Sequence, residues 1–227
     1  MKLKHYSIFN KHKESKINWN YLRDNKNETD YFIPLNEEDF LKIFESEKYE
    51  QIIYSTKKYI DKFKIDRIIS LGSGRSSLEY QLKLKTGVYT VISDITESIL
   101  RLKKLDFFDE ILFIDFTKKF ELKLSSSTMV LLSRIDTELS DSQIKNLFKN
   151  LNHQKVKYIL FIPAQLLSIK SILVQFYIIL KAVILKKPLV DCGYSRSRSS
   201  FKKLWKEFYD IHINYNYKYL FLINKGL

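Results

Sequence analysis

The sequence predicts an α/β fold: a mostly parallel seven-stranded sheet with an antiparallel C-terminal strand pair and helices on both faces. Three observations predict it. From residue 66 onward, short apolar runs rich in β-branched residues alternate with segments of helical period. The runs are nearly continuous in their apolar character, which is the pattern of strands buried on both faces in a parallel sheet. The last two runs close the chain one directly after the other and read as antiparallel.

Taken in order, residues 1–35 are polar, aromatic and lysine-rich and read as an irregular extension. Asn36 stands at a helix N-cap position, with Glu37, Glu38 and Asp39 in the first turn, where acids suit the helix dipole. Residues 1–47, including that helix, are expected to precede a domain over 48–227. A second helix is expected over Lys48–Phe63, because Tyr49, Ile52, Ile53, Tyr59, Ile60 and Phe63 recur at steps of three and four. Strands are expected at Arg67–Leu71, Val88–Ser93, Ile111–Asp115, Met129–Leu132 and Val156–Ile162, then at His212–Tyr215 and Tyr219–Asn224. Helices are expected at Ser76–Lys85, Thr96–Leu105, Ser140–Leu151 and Phe201–Phe208, with Ser140 and Gln143 spaced as a capping box. A long apolar helix over Leu166–Lys186 is expected to be a core element of the sheet.

Composition narrows the class. The 227 residues are 45% hydrophobic and 15% aromatic, which excludes disorder as the main state. A chain of this length buries about 70% of its unfolded surface and needs no disulfide or metal to hold it. A single cysteine, Cys192, allows no intrachain disulfide, and four scattered histidines give no zinc-ligand spacing, so no metal site is expected. The N-terminus has no apolar run of the signal-peptide kind, and the longest apolar stretch, Ile172 to Leu185, falls short of a membrane span. A soluble, cytoplasmic protein is the expectation. The net charge of +13, from 39 Lys plus Arg against 26 Asp plus Glu, admits nucleic acid, a membrane surface or an anionic substrate.

The most informative segment is Ile68–Glu79, where a strand runs into Gly72-Ser73-Gly74 and then a helix. Glycines there allow a sharp turn and close approach of the backbone to a ligand, and the helix N-terminal amides favour an anion. Asp94, twenty residues beyond Gly74 at the end of the second strand, is placed to accept hydrogen bonds from ribose hydroxyls. A βα turn with a solvated aspartate is the simpler alternative.

From about residue 48 to the C-terminus, these motifs resemble class I S-adenosylmethionine (SAM)-dependent methyltransferases, which are Rossmann-like. Leu71–Gly74 looks like that family's cofactor loop and Val91–Asp94 like its second-strand acid motif, followed by Ile95. Phe113–Phe116 looks like the third-strand end. There the resemblance implies that Asp115 meets the adenine amino group and that Phe116 packs on the ring. Leu131–Asp136 looks like the fourth-strand end, implying that Ser133 and Arg134 line the methyl-transfer site. The implied cofactor is SAM, and the implied mechanism is transfer by proximity, with an acceptor oxygen or nitrogen held in line with the sulfonium methyl. Asp136, Glu138 or His153 could remove a proton, and Asp136 lies nearest the strand end. Two positions depart from the pattern: Ser70 stands where an acid is common, and Ser76 or Ser77 replaces the third glycine.

Rivals share the same loop. A nicotinamide-dependent oxidoreductase would use the glycines and Asp94 in the same way, and Tyr177 and Lys181 stand one helical turn apart. Tyr177 lies in an apolar helix, however, and reads as core. A methyltransferase fold without catalysis, serving as a scaffold, is a further alternative. Amino-methyltransferases of bases carry an Asn/Asp-Pro-Pro-aromatic motif where this chain has Ser133–Asp136, and cytosine C5 enzymes need a Pro-Cys nucleophile that is missing here.

The charge is uneven. Residues 170–206 hold nine Lys and Arg against Asp191 alone. Tyr194, Arg196 and Arg198 are expected to contact an anionic acceptor, such as a phosphorylated or nucleotide-linked sugar. RNA is an alternative acceptor, because basic residues here stand beside Tyr194, Phe201 and Trp205. An anionic membrane is another partner, with Ile169–Leu185 in the interface and Lys186 and Lys187 at the headgroups. Oligomeric state is not legible.

Overall fold

The computed structural model describes residues 2–5, 19–24, 32–137, 139–164, 166–185, 193–215 and 218–226. Two strands and two helices come from outside the main strand–helix alternation: β1 (Lys2–His5), α1 (Trp19–Asp24), α2 (Glu37–Ser46) and, later, β7 (Gly193–Arg196). α2 begins where expected, because the Asn36 side chain accepts the Asp39 amide at 2.9 Å. α3 (Glu50–Phe63) ends as Lys64 turns left-handed.

The alternation then runs β2 (Arg67–Leu71), α4 (Ser77–Thr86), β3 (Tyr89–Asp94), a 3-10 helix (Glu97–Leu105), β4 (Glu110–Phe113), β5 (Thr128–Ser133), α5 (Asp141–His153) and β6 (Tyr158–Ile162). α6 (Ile169–Leu185) and β7 follow, then α7 (Arg198–Trp205), β8 (Tyr209–Tyr215) and β9 (Tyr219–Asn224). Both halves of the Ser140–Gln143 capping box form at the start of α5. The sheet order is β4-β3-β2-β5-β6-β9-β8. β2 to β6 are parallel, and β9 enters antiparallel between β6 and β8. This is the expected seven-stranded sheet with its antiparallel pair. A separate two-stranded sheet joins β1 to β7.

Period-two alternation divides the strands between two cores. Ile69, Val130, Ile159 and Leu220 face α5 and α7, while Ile68, Met129, Leu160 and Phe221 face α3 and α4. α7 starts earlier than expected, because Ser197 caps it by accepting the Ser200 amide at 3.4 Å. Its Phe201, Leu204 and Trp205 are buried against Phe148 and Phe161. Each such side chain contributes about 1.5–3 kcal/mol of burial.

This arrangement overturns one expectation. α7 and α5 fill one face of the sheet and α3 and α4 the other, so no face is left for the long apolar helix. α6 is not core: Ile169, Leu173, Phe176 and Tyr177 are 62–81% exposed. Tyr177, read from the sequence as core, is a surface residue. The third parallel strand is also shorter than expected, so Asp115 lies in the loop beyond β4.

α1, α2 and Ile33 pack onto the flank of the sheet. Phe40 sits against Tyr80, Phe107 and Phe108, in a third buried cluster with Ile33, Ile92, Ile99 and Leu102. α1 is fixed to the 3-10 helix where Ser98 Oγ donates to Asp24 Oδ1 at 2.6 Å, beside an Arg101–Asp24 pair.

Candidate functional site

The parallel strands β2, β3, β4, β5 and β6 deliver their carboxyl ends to one edge, which is where open α/β sheets bind ligands. β2 ends at Leu71 and the chain turns through Gly72 (φ 72°) and Gly74 (φ 57°). The Ser73 amide donates to Ser93 O at 2.8 Å, tying the turn to β3. Gly72 is required by packing as well as by backbone, since a Cβ there would lie 2.7 Å from Ile135 Cγ2 and 3.2 Å from Phe116 Cε1. The third-glycine position is Ser76: it takes φ 60°, the left-handed conformation a glycine would adopt freely, and its hydroxyl donates to Ser73 Oγ at 3.0 Å.

Asp94, fully buried at the end of β3, locks this loop. Its Oδ2 accepts the Gly74 amide at 3.0 Å, and its Oδ1 accepts the amide and the hydroxyl of Thr96, both at 3.1 Å. The second bond to Oδ2 comes from Arg23 Nη2 of α1 at 3.2 Å. The same guanidinium covers Gly74, with Nη1 and Nη2 both 3.1 Å from where a Cβ would stand. Sequence reading missed Arg23, which is seventy-one residues from Asp94 in the chain.

The acid missing at position 70 also returns from elsewhere. Ser70 Oγ donates to Glu79 Oε1 at 2.7 Å, so α4 supplies a buried carboxyl beside β2. Burial pushes Glu79 up to about 7, the Ser70 bond opposes this, and the charges of Glu47 and Asp94 add to it. A glutamate on the inner side of the helix, five residues past Gly74, was the available sequence signal.

At the β4 end, Asp115 is turned onto its own loop. Its Oδ1 accepts the Thr117 amide at 3.1 Å and the Thr117 hydroxyl at 2.5 Å, and Lys118 pairs with Oδ2 at 3.0 Å. Burial raises its carboxyl, but these partners outweigh burial and hold it below the usual range. Phe116 is buried against Gly72 and Ile135, and Ile95 is half-buried beside Asp94.

At the β5 end, Ser133 is half-buried. Arg134 is exposed with φ 58°, a strained value for a non-glycine residue, and its amide donates to Ile162 O at 2.8 Å. Asp136 is fully buried. Its Oδ1 accepts the Ala164 amide at 2.8 Å, which joins the loops after β5 and β6, while Oδ2 meets no partner among the described residues. Burial raises Asp136 to about 6, against the Ala164 amide and the positive charges of Arg196 and Arg134. Glu138 and Lys186–Cys192 lie outside the described residues.

The expected acceptor cluster divides. Arg196 is fully buried, so it does not face an acceptor: Nε donates to Asp141 Oδ1 at 2.7 Å, and the two Nη atoms donate to Asp136 O and Leu139 O. β7 pairs with β1 and lies beside the loop after β5, which turns this guanidinium inward onto the Asp136 and Leu139 carbonyls. Tyr194, half-buried, has Arg196 over its ring at 5.1 Å. Arg198, the first residue of α7, is exposed.

The order β4-β3-β2-β5-β6-β9-β8, with an antiparallel strand next to last, differs from the six-strand parallel order of dinucleotide-binding sheets. Solved structures with a similar fold include methyltransferases. Human N-acetylserotonin methyltransferase in complex with SAM aligns over 85% of this chain at 21% identity with a TM-score of 0.54; the chain spans 57% of that protein's length. The PH0226 protein of Pyrococcus horikoshii OT3 aligns over 85% of this chain and 95% of its own length at 14% identity, with a TM-score of 0.57. Magnesium protoporphyrin IX methyltransferase of Synechocystis PCC 6803, with bound SAH, aligns over 85% of this chain and 89% of its own length at 12% identity, with a TM-score of 0.51. The fold is that of the SAM-dependent methyltransferases. No family model and no curated protein matches the sequence.

The residues of this methyltransferase-like edge fit a nucleoside cofactor on one condition. The carboxylate and the glycine turn are assembled at the strand ends, where the Ser73, Gly74 and Ser76 amides already bond within the loop. The slot beside Gly74 is polar, since a guanidinium fills it, and Arg23 must vacate it for a ribose to reach Asp94.

Proposed function

We propose that the protein is a SAM-dependent methyltransferase acting on a small anionic acceptor, a phosphorylated or nucleotide-linked sugar, at oxygen or nitrogen. The observation that carries this reading is the bond between Gly74 and Asp94 at the carboxyl edge of a methyltransferase-type sheet. Gly72, Ser73, Gly74, Asp94 and Ile95 would hold the ribose and methionyl parts, and Asp115 and Phe116 would border the adenine. When bound, SAM supplies an electrophilic methyl, so the protein's share of the chemistry is orientation and proton removal.

Asp136 is the group suited to proton removal. Its Oδ2 accepts no hydrogen bond among the described residues, and burial brings it to about 6, close to the range where a general base works near neutral pH; because Asp136 is fully buried, the loop after β5 has to open before an acceptor can reach it. Ser133 and the strained Arg134 border the same edge. Arg134 and Arg198 remain as the exposed cations for an acceptor anion, with Tyr194 between them in the chain. Arg196 is a positioning residue that fixes the carbonyls of Asp136 and Leu139.

A second reading, a scaffold without catalysis, has one observation in its favour: Arg23 takes the bond on Asp94 that a ribose would need. Thermal shift separates the two readings. SAM or S-adenosylhomocysteine (SAH) is expected to raise the melting temperature of the protein, NAD is not, and Asp94→Ala is expected to abolish the shift. If neither methyl cofactor shifts the wild type, the scaffold reading stands. Tritium transfer from labelled SAM to nucleotide-sugar pools then tests the acceptor, and transfer to RNA instead would replace it.

A further inference from the structure

α6 is the longest helix among the described residues, and most of its described apolar side chains are exposed. Along α6, Ile172 and Val174 are 42–44% exposed, and Ile169, Leu173, Phe176, Tyr177, Leu180 and Ile184 are 47–81% exposed. At 100° per residue the last six fall within an arc of about 100°, a continuous apolar stripe of the width that normally faces a core, with Ile172 and Val174 flanking it. None of the three buried clusters includes a described residue of α6. Contiguous apolar surface on this scale marks an interaction site.

Charge decides what covers it. Residues 170–206 carry nine cations and one acid in the sequence, of which Arg196 is buried against Asp141, and α6 itself holds Lys170 and Lys181 and no acid. Lys186 and Lys187 follow directly in the sequence. At its other end, the Leu167 amide donates to Arg196 O at 2.8 Å, which sets the start of α6 beside the exposed Arg198. A second copy of the chain laid on this stripe would bring two cationic rims together, which like-charge repulsion disfavours. The cover must be apolar at its centre and anionic around it. An anionic bilayer has that composition: acyl chains meet the stripe and headgroups meet the lysines. Among the described residues no helix is long and apolar enough to cross a membrane, and the seventeen residues of α6 span roughly 26 Å, which suits a helix lying along the surface.

We propose that α6 is a membrane-docking helix that seats the protein on an anionic bilayer. β6 runs into α6 within seven residues of its carboxyl end, so docking holds the carboxyl edge of the sheet, with Arg134 and Asp136, near the lipid headgroups. The proposal does not rest on methyl transfer, because vesicle binding needs no cofactor.

The test is co-sedimentation of the full chain with vesicles of phosphatidylcholine alone or of phosphatidylcholine with phosphatidylglycerol. Binding to the phosphatidylglycerol vesicles only, weakening with added salt, is expected. The double variant Leu173→Asp, Phe176→Asp is expected to lose at least about tenfold in partitioning while its circular dichroism and melting temperature stay at wild-type values. Phe176→Trp is expected to bind as the wild type does and to show a blue-shifted emission with the anionic vesicles. Absence of wild-type binding to those vesicles overturns the proposal, as does undiminished binding of the double variant. A wild-type dimer in light scattering that the double variant converts to monomer assigns the stripe to a second copy and also overturns it.

Discussion

The two ends of the carboxyl edge are built from opposite materials. Around β2 and β3 the polar groups are buried and matched to one another: Asp94 accepts four hydrogen bonds, Ser70 meets Glu79, and Gly72 touches Phe116 and Ile135. Beyond β6, a bare apolar helix stands next to exposed cations. The first region is complete within the chain. The second has surface that water does not suit, and completes itself on something else. A ligand at the first end must therefore displace protein contacts, while a partner at the second only has to arrive.

The largest expected effect tests the packing of the first region. Gly72→Ala forces a side chain into a left-handed residue against Ile135, so about 3 kcal/mol of stability should go, a fall of roughly 10 °C in melting temperature for a domain of this size. A melting temperature equal to that of the wild type would mean the turn is loose, and the comparison would fail.

Next is Glu79, whose buried carboxyl holds its proton up to about 7. The unfolded chain releases that proton near 4.3, so the neutral form's contribution is complete below about pH 4 and is lost as pH rises through 7, roughly 3–4 kcal/mol in all. Chemical denaturation should show Glu79→Gln matching the wild type near pH 4 and exceeding it at pH 8. Parallel pH profiles would remove Glu79 from the loop's account.

Arg23→Ala frees one acceptor site on Asp94 and should tighten SAH binding about tenfold, or ~1.4 kcal/mol, in calorimetry. Weaker binding would show that Arg23 contacts the cofactor itself. Ser76→Gly relieves a left-handed non-glycine residue and should add about 0.5–1 kcal/mol. In the second region, Phe176→Asp should stay within about 0.5 kcal/mol of the wild type in denaturant, because the side chain is already in water. A large loss there would place α6 in the core.

Local chemistry was legible. Asn36 and Ser140 cap their helices as their spacing indicates, since a cap needs only a side chain and an amide three residues on. The strands announced themselves by apolar runs, and the glycine turn and Asp94 by a spacing that any parallel βαβ unit preserves. Arg196 shows the limit: read from sequence as an acceptor contact, it is buried because β7 lies where its guanidinium meets the carbonyls of Asp136 and Leu139. Arg23 was unreadable for the same reason, as it acts on a residue that only the fold brings near.

The sequence by itself determined the α/β class, the strand–helix alternation and the place of the glycine turn, because periodicity and capping act over a few residues. Tertiary structure alone decided which charges face solvent, which carboxyl replaces the acid missing at Ser70, and that α6 lies outside. A helix that is apolar all round signals burial, and whether the fold has a face left to bury it on depends on α7 filling that place first.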